Sequence, residues 1–406
     1  MDPQVRLLLE VTWEALEDSG IAASSVRGSK TGVYMGVTAS EYAILTSMPS
    51  HNINQYSNSG TNSCMMANRV SYEFDFRGPS FSVDTACSSS LYAIHMACEA
   101  LKSGQCTMAV AGGVNLILMT GATVGFCQAG MLAPDGRCKS FDESGDGYSR
   151  SEGAGVIVLK KLTEAIKDGD RVYAVIRGGA LSNDGRTPGI ATPSFDAQVD
   201  LIKSACKEAK VRPQDVIYAE AHGTGTMVGD KTEANALGQV LRGLCHSDVT
   251  DTNSSSVFIG SVKSNLGHTE GAAGVAGIIK TALCLKNRQI PRVVHFNSPN
   301  RLINVKELNV CFPKELTPWP KDRQCLATCS SFGFGGANAN LVLTGSPEAD
   351  SFEIVSTPIV THKPRPLILS AASKEALQQR LKQWEKFLQR IPKVRFMSLP
   401  IPIHFS

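Results

Sequence analysis

The sequence predicts an α/β protein with mainly parallel sheets covered by helices on both faces. Two observations carry that reading. Nearly continuous apolar runs such as "MAVAGGVNLIL" and "AGVIVLKKL" alternate with stretches of helical periodicity, as in strands buried on both faces. With 406 residues, 42% hydrophobic and 19% charged, the chain can bury a large core. That length suits one big α/β domain or two to three ordinary ones.

The elements follow in order. The chain opens in a helix whose Leu9, Trp13 and Leu16 are expected on one face, ended by Gly20. "TGVYMGV" and "SFSVD" read as strands, the second stopping where an apolar helical pattern begins after Cys87. Beyond the two runs quoted above, "RVYAVIRGGAL" is a further strand, followed by a helix from about Phe195 to Lys210. "DVIYAEAHGTGT" brings in another strand. Helices near Lys231–Leu244 and Thr269–Leu285 bracket the strand "VFIGSVKS". "CLATCSSFGFGGANANLVLTG" reads as two strands joined by a glycine-rich turn. After Gly345 a Pro- and Ser-rich linker covers 345–372. Ser373 then caps an amphipathic helix over 373–390, with Leu377, Leu381, Trp384 and Leu388 on one face. The tail 391–406 has three prolines and no period, and is expected to be unstructured.

Composition removes several function classes. A formal charge of +3 without a Lys/Arg block argues against nucleic acid or anionic membrane as partner. Twelve scattered cysteines, without a CxxC pair, fit reduced thiols in a cytoplasmic chain better than a disulfide scaffold. Clustered Cys/His ligands for zinc are missing, so no metal site is expected. Asp2 and Glu10 stand where a signal peptide would be basic and then apolar, and no stretch approaches a membrane span.

Three positions concentrate chemistry. Cys87, in "VDTACSSSL", lies where a strand hands over to a helix. Unpaired N–H groups and the positive end of the helix stabilise an anion there. Such a cysteine is either a buried structural thiol or a nucleophile of lowered pKa. His222 in "EAHGTGT" and His268 in "VKSNLGHTEGAAG" also follow apolar strands, where the carboxyl ends of an α/β sheet line the ligand crevice. A nucleophile and two base-type residues at three glycine-flanked strand ends favour catalysis over three separate structural roles. "GTGTMVG" nearly matches the dinucleotide-binding glycine pattern, with its third glycine one place late.

From Met1 to about Thr344 these motifs resemble, in order, the β-ketoacyl synthase (ketosynthase) domain of animal-type polyketide and fatty acid synthases. "VDTACSSSL" resembles the nucleophile motif, "EAHGTGT" the first histidine motif, and "VKSNLGHTEGAAG" the lysine and second histidine motif. "SSFGFGGANANLVL", "MDPQVRLLLEVTWEALEDSGI" and "FDESGDGYSRSEGAGVIVLK" are further blocks of that family. The resemblance implies a thiolase-like fold: two similar βαβαβ halves in a layered α-β-α-β-α arrangement. The activity implied is decarboxylative Claisen condensation of a Cys-bound acyl chain with a malonyl-type thioester. Cys87 would accept the acyl group, and His222 and His268 would donate to the enolate oxygen. Lys263 would support that site electrostatically. The N–H groups of Cys87 and Phe334 would form the oxyanion hole, with Phe334 as a gate. No cofactor is implied on the domain itself, since the substrate rides on the phosphopantetheine of an acyl carrier protein.

The implied partners are that carrier, an acyltransferase domain of the same synthase and a second copy of the domain. The dimer is expected through the edge strand "GPSFSVDTAC", with Met65 and Met66 packed against the partner. "RPLILSAASKEALQQRL" is similar to the start of the linker joining a ketosynthase to its acyltransferase. The family's usual strand upstream of "MDPQ" is not in the sequence, so a truncated domain with an open core and poor dimerisation is expected. Alternatives are an inactive fragment, a noncatalytic partner, a thiolase-like enzyme using Cys325 or Cys329, and, more distantly, a nucleotide-binding dehydrogenase.

Overall fold

The computed structural model describes residues 1–48, 50–242, 256–321, 323–347, 369–371 and 373–390. They fall into two units, Met1–Ser346 and Pro347–Ser406. The first unit carries two sheets. One is built from β1 (Thr31–Val37), β2 (Ser80–Val83), β3 (Met108–Asn115) and β4 (Gly153–Lys160), in the order β2-β1-β3-β4. The other contains β5 (Ala174–Asn183), β6 (Tyr218–Glu220) and β7 (Val257–Gly260). A separate short pair joins β8 (Gln289–Ile290) to β10 (Thr317–Pro318), on either side of β9 (Val310–Cys311). With β11 (Leu326–Phe332) and β12 (Ala337–Gly345), the second sheet has the order β5-β12-β11-β6-β7-β9.

Helices connect these strands. The first four are α1 (Pro3–Asp18), α2 (Glu41–Ser47), α3 (Ser57–Thr61) and α4 (Met65–Phe74), followed by α5 (Ser89–Lys102) after β2. Next come α6 (Gly121–Gln128), α7 (Leu162–Asp168), α8 (Phe195–Ala209) and α9 (Met227–Arg242). The last in this unit are α10 (Lys263–Leu266), α11 (Ala273–Asn287) and α12 (Val305–Leu308).

Three apolar clusters define the layers. Leu91, Ile94 and Ala97 of α5 and Val275, Ile278 and Leu285 of α11 pack with Tyr34, Ala109 and Ala111 of the first sheet. The same cluster takes in Ala327, Leu341 and Leu343 of the second, so α5 and α11 lie between the sheets. Val5, Leu8, Val70 and Phe74 of α1 and α4 cover the outer face of the first sheet. Ile202, Ala205, Leu237 and Val240 of α8 and α9 cover that of the second. This is the expected layering of helix, sheet, helix, sheet, helix. Strands β1 and β3 are buried along their whole length, which is why they read as continuous apolar runs.

Several expectations need correction. The two sheets are mainly parallel, as expected, but not wholly so: β1–β2, β1–β3, β6–β11, β6–β7 and β7–β9 are parallel, whereas β3–β4, β5–β12 and β11–β12 are antiparallel. A continuous apolar run reports burial on both faces, not strand direction. In α1 the buried face is Val5, Leu8, Thr12 and Leu16, while Trp13 is 51% exposed, one position off the expected stripe. Met66 is fully buried in its own subunit's core and so is not free to meet a partner, whereas Met65 packs against that core and stays half-buried. The helix expected from Thr269 begins at Ala273, after a short 3₁₀ turn over Glu270–Ala272.

Strand β4 ends the first sheet, and its outer edge has no strand partner among the described residues. Cavities of about 640 and 630 Å³ run along it, both lined by apolar side chains that include Ala154, Ile279 and Leu283. In the second unit, α13 (Lys374–Arg390) starts at Ser373, whose Oγ accepts from the Ala376 N–H at 3.1 Å, as its capping role requires. Leu377, Trp384 and Leu388 are half-buried, whereas Leu381 is exposed. Most of the linker expected over 345–372, and the tail 391–406, lie outside the described residues.

Candidate active site

The nucleophile turn is held by its own serines. After β2 the chain passes through Ala86 in the left-handed region, φ 56°, and reaches Cys87 just before α5. Ser88 Oγ donates to the carbonyls of Thr85 and Ala337, both at 2.8 Å. Ser89 Oγ donates to the Ala86 carbonyl and accepts from the Thr85 N–H at 2.9 Å. Ser90 Oγ accepts from the Val275 N–H at 3.0 Å, which ties the turn to α11. The serine run is thus a set of buried clamps. Two glycines let backbone approach this turn: a Cβ on Gly36 would lie 2.2 Å from the Ser90 nitrogen, and one on Gly333 2.3 Å from the Thr85 oxygen.

The glycine loop between β11 and β12 closes over the cysteine. Ser331 Oγ donates to the Cys87 carbonyl at 2.7 Å. Phe334, 50% exposed, stands edge-on to Phe126 with ring centroids 6.1 Å apart. Burial pushes the Cys87 thiol up to about 11, against the lowering expected from its place before a helix. The Lys263 ammonium opposes that rise and the Glu270 carboxylate adds to it. The N–H groups of Phe334 and of Cys87 itself also hydrogen-bond the sulfur and favour the thiolate. Desolvation outweighs them.

The two histidines face each other, ring centroids 5.5 Å apart and nearly perpendicular at 85°. His222 follows β6, and its Nδ1 accepts the Phe332 N–H at 3.2 Å. His268 precedes α11, and its Nδ1 accepts the Glu270 N–H at 3.0 Å. An imidazole that accepts at Nδ1 carries its proton on Nε2 and is neutral. Burial, with Lys263 next in effect, holds both rings well below the usual histidine range. His268 is 1% exposed, and its buried Nε2 has no hydrogen-bond partner among the described residues. A buried donor left unpaired in this way calls for a partner, and a bound substrate oxygen would serve as one.

Lys263, 3% exposed, donates from Nζ to the His222 carbonyl at 2.6 Å. The expected set therefore converges: Lys263 lies against His222, His222 against His268, and the fields of Lys263 and Glu270 reach Cys87.

Sequence reasoning missed several supports. Glu233 accepts the N–H groups of His222 and Gly223 at 2.7 and 2.8 Å, and burial pushes its carboxyl up to about 7. Asp230 accepts from the N–H of Gly225 at 3.1 Å and from that of Phe141. These two carboxylates occupy backbone amides that a dinucleotide phosphate would need, which removes the dehydrogenase reading of "GTGTMVG". Cys325 and Cys329 are buried core residues, and burial raises the Cys329 thiol. Neither resembles a second catalytic thiol.

Comparison with known proteins agrees with this geometry. Family models for the N-terminal domain of β-ketoacyl synthase, its C-terminal domain and the ketoacyl-synthetase C-terminal extension match residues 1–165, 173–297 and 299–399. The chain is 49% identical to a phenolphthiocerol/phthiocerol polyketide synthase of Mycobacterium tuberculosis, over 86% of this chain and 18% of that protein. It is 42% identical to the highly reducing polyketide synthase dmxL2 of a Cryptosporiopsis species, over 84% of this chain and 15% of the relative. The chain thus spans under a fifth of the length of these relatives. Among solved structures, the module 6 ketosynthase of the Bacillus subtilis bacillaene synthase matches with a TM-score of 0.84 and 35% identity, covering 96% of this chain and 65% of that one. These relatives are bacterial and fungal, and they do not single out an animal subtype. With its layered sheets, its glycine-flanked cysteine turn and its facing histidines, the chain belongs to the β-ketoacyl synthase family, as a ketosynthase domain of the polyketide synthase kind.

Proposed function

We propose that this ketosynthase condenses an acyl chain held on Cys87 with a malonyl-type thioester. In the first step the Cys87 sulfur attacks a carrier-bound acyl thioester, and the carrier thiol leaves with the proton that Cys87 gives up. In the second, the malonyl thioester loses CO₂, and the enolate oxygen accepts hydrogen bonds from the Nε2–H groups of His222 and His268. In the third, the enolate carbon attacks the acyl-Cys87 carbonyl. The Cys87 and Phe334 N–H groups hold the resulting oxyanion until the Cys87 thiolate is expelled. Donors already aimed where charge develops are worth a few kcal/mol each, because they need no reorganisation. Lys263 supports both imidazoles in the neutral form by disfavouring a second positive charge. Phe334, flanked by Gly333 and Gly335, would gate entry.

The observation that carries this reading is the pair of neutral imidazoles, each held at Nδ1 by a backbone N–H, with the buried His268 Nε2 unpaired. A noncatalytic homologue would have no use for two such aimed donors. The test is His222→Ala. Acyl transfer to Cys87 is expected to persist while malonyl decarboxylation collapses; decarboxylation near the wild-type rate contradicts the assignment.

With the chemistry come proposed partners: an acyl carrier protein whose phosphopantetheine presents both substrates, an acyltransferase domain of the same synthase, and a second copy of this domain. The dimer is favoured by β2, a half-buried strand at the open edge of the first sheet. A cytoplasmic location is proposed with these. The described cysteines are all free thiols, and no described helix is long and apolar enough to cross a membrane.

A further inference from the structure

Beside the histidines lies a buried ion pair that none of these steps uses. The side chains of Arg150 and Glu270 are 5% and 12% exposed. Arg150 donates to both carboxylate oxygens of Glu270, the Nη2 contact being 3.0 Å. Its Nη1 donates to Thr123 Oγ1 at 2.6 Å, and its guanidinium lies 5.5 Å from the Phe126 ring centroid. All three of its nitrogens are therefore committed, and the fork cannot turn. Phe126 is the ring that meets Phe334 edge-on.

Glu270 is unusual in its backbone as well. Its φ is 44°, in the left-handed region that a residue with a Cβ enters only at a cost. Such a conformation persists where its surroundings over-determine it. The N–H that this conformation presents is the one donated to His268 Nδ1. The segment carrying Arg150, joined to His268 by an isolated bridge, grips it from the other side: the His268 N–H donates to the Ser149 carbonyl at 2.7 Å, and the Ser151 N–H to the His268 carbonyl at 2.9 Å.

We propose that Arg150 and Glu270 are positioning residues for His268. Their ion pair locks Glu270 in the left-handed conformation, so that its N–H fixes the imidazole with the proton on Nε2 and that proton turned toward the enolate oxygen. This rests on the decarboxylation role given above to His268.

The experiment measures two half-reactions in the same preparations of the full chain: Cys87 acylation by an acyl-pantetheine, followed by intact mass, and CO₂ release from malonyl-pantetheine. The variants are His268→Ala, Glu270→Gln and Arg150→Lys, the last keeping the charge but losing the fork. A misplaced donor lowers decarboxylation roughly 10- to 100-fold in the two ion-pair variants, with acylation held within about 3-fold of wild type. If His268→Ala decarboxylates normally, the role of His268 itself fails. If His268→Ala collapses but the ion-pair variants lose nothing, or lose both half-reactions equally, the positioning role is overturned. Nitrogen-15 NMR of the histidine-labelled wild-type chain needs no variant to fold. It is expected to show His268 protonated at Nε2, and an Nδ1-protonated ring overturns the inference.

Discussion

Two kinds of titratable group meet at the site, and burial moves them in opposite directions. It keeps the Cys87 thiol protonated up to about 11 and keeps His222 and His268 neutral well below the usual histidine range. The half-reactions should therefore separate on a pH axis. Acyl transfer needs the thiolate, so its rate should climb steadily as pH rises from neutrality. Decarboxylation needs neutral imidazoles, so it should stay flat as pH falls from neutrality through the ordinary histidine value of about 6.5. Stability adds a check on sign. Below about 6.5 the unfolded chain binds protons on these histidines that the folded chain does not, so their contribution to stability is present above that pH and lost beneath it. Rates of the two steps measured separately across this range test the assignment, and a decarboxylation rate that halves at the ordinary histidine pKa contradicts it. Cys87, His222 and His268 were legible in the sequence because motif and strand end coincide at each, whereas Lys263 and Phe334 were named only through the family resemblance. Arg150 and Glu270 lay inside quoted motifs but carried no legible role, since a left-handed φ at a non-glycine and a pairing across 120 residues leave no local signal.

At the scale of elements, apolar runs located the longer strands but not the two-residue β8, β9 and β10, and end signals placed only the close of α1 near Gly20 and the start of α13 at Ser373. Direction and face were harder. β4 reads like a parallel strand but runs antiparallel to β3, because both are covered by helices and so lose the alternation that marks a solvated antiparallel strand. The stripe of α1 was misjudged at Trp13, where a large apolar side chain sits one position off the buried face and stays half in solvent. β2 is the element with a consequence for assembly. Its inner edge pairs with β1 and its outer edge has no strand partner among the described residues, so it offers unsatisfied N–H and C=O groups next to the nucleophile turn. Two copies pairing at this edge would make one continuous sheet. A ketosynthase carrying this edge should scatter light as a dimer at micromolar concentration; a stable, active monomer contradicts the pairing. Met66 will not report on it, since it is committed to its own core.

The whole molecule explains why such distant sequence segments meet. Strands β2 and β6 and the β11–β12 loop deliver Cys87, His222 and Phe334, while β7 leads through Lys263 into the turn carrying His268. The central layer of α5 and α11 binds the two sheets together, and its buried glycines and serines leave no room for slippage between them. Layering was legible through the family resemblance, whereas periodicity alone gave only an α/β class. The account stands on Cys87 as the acyl acceptor, and that claim has a direct measurement. The full chain is incubated with an acyl-pantetheine, its intact mass is recorded and the modified peptide is mapped. The structure predicts a single acyl adduct on Cys87 that is absent from Cys87→Ala; an adduct on another cysteine with Cys87 unlabelled contradicts it.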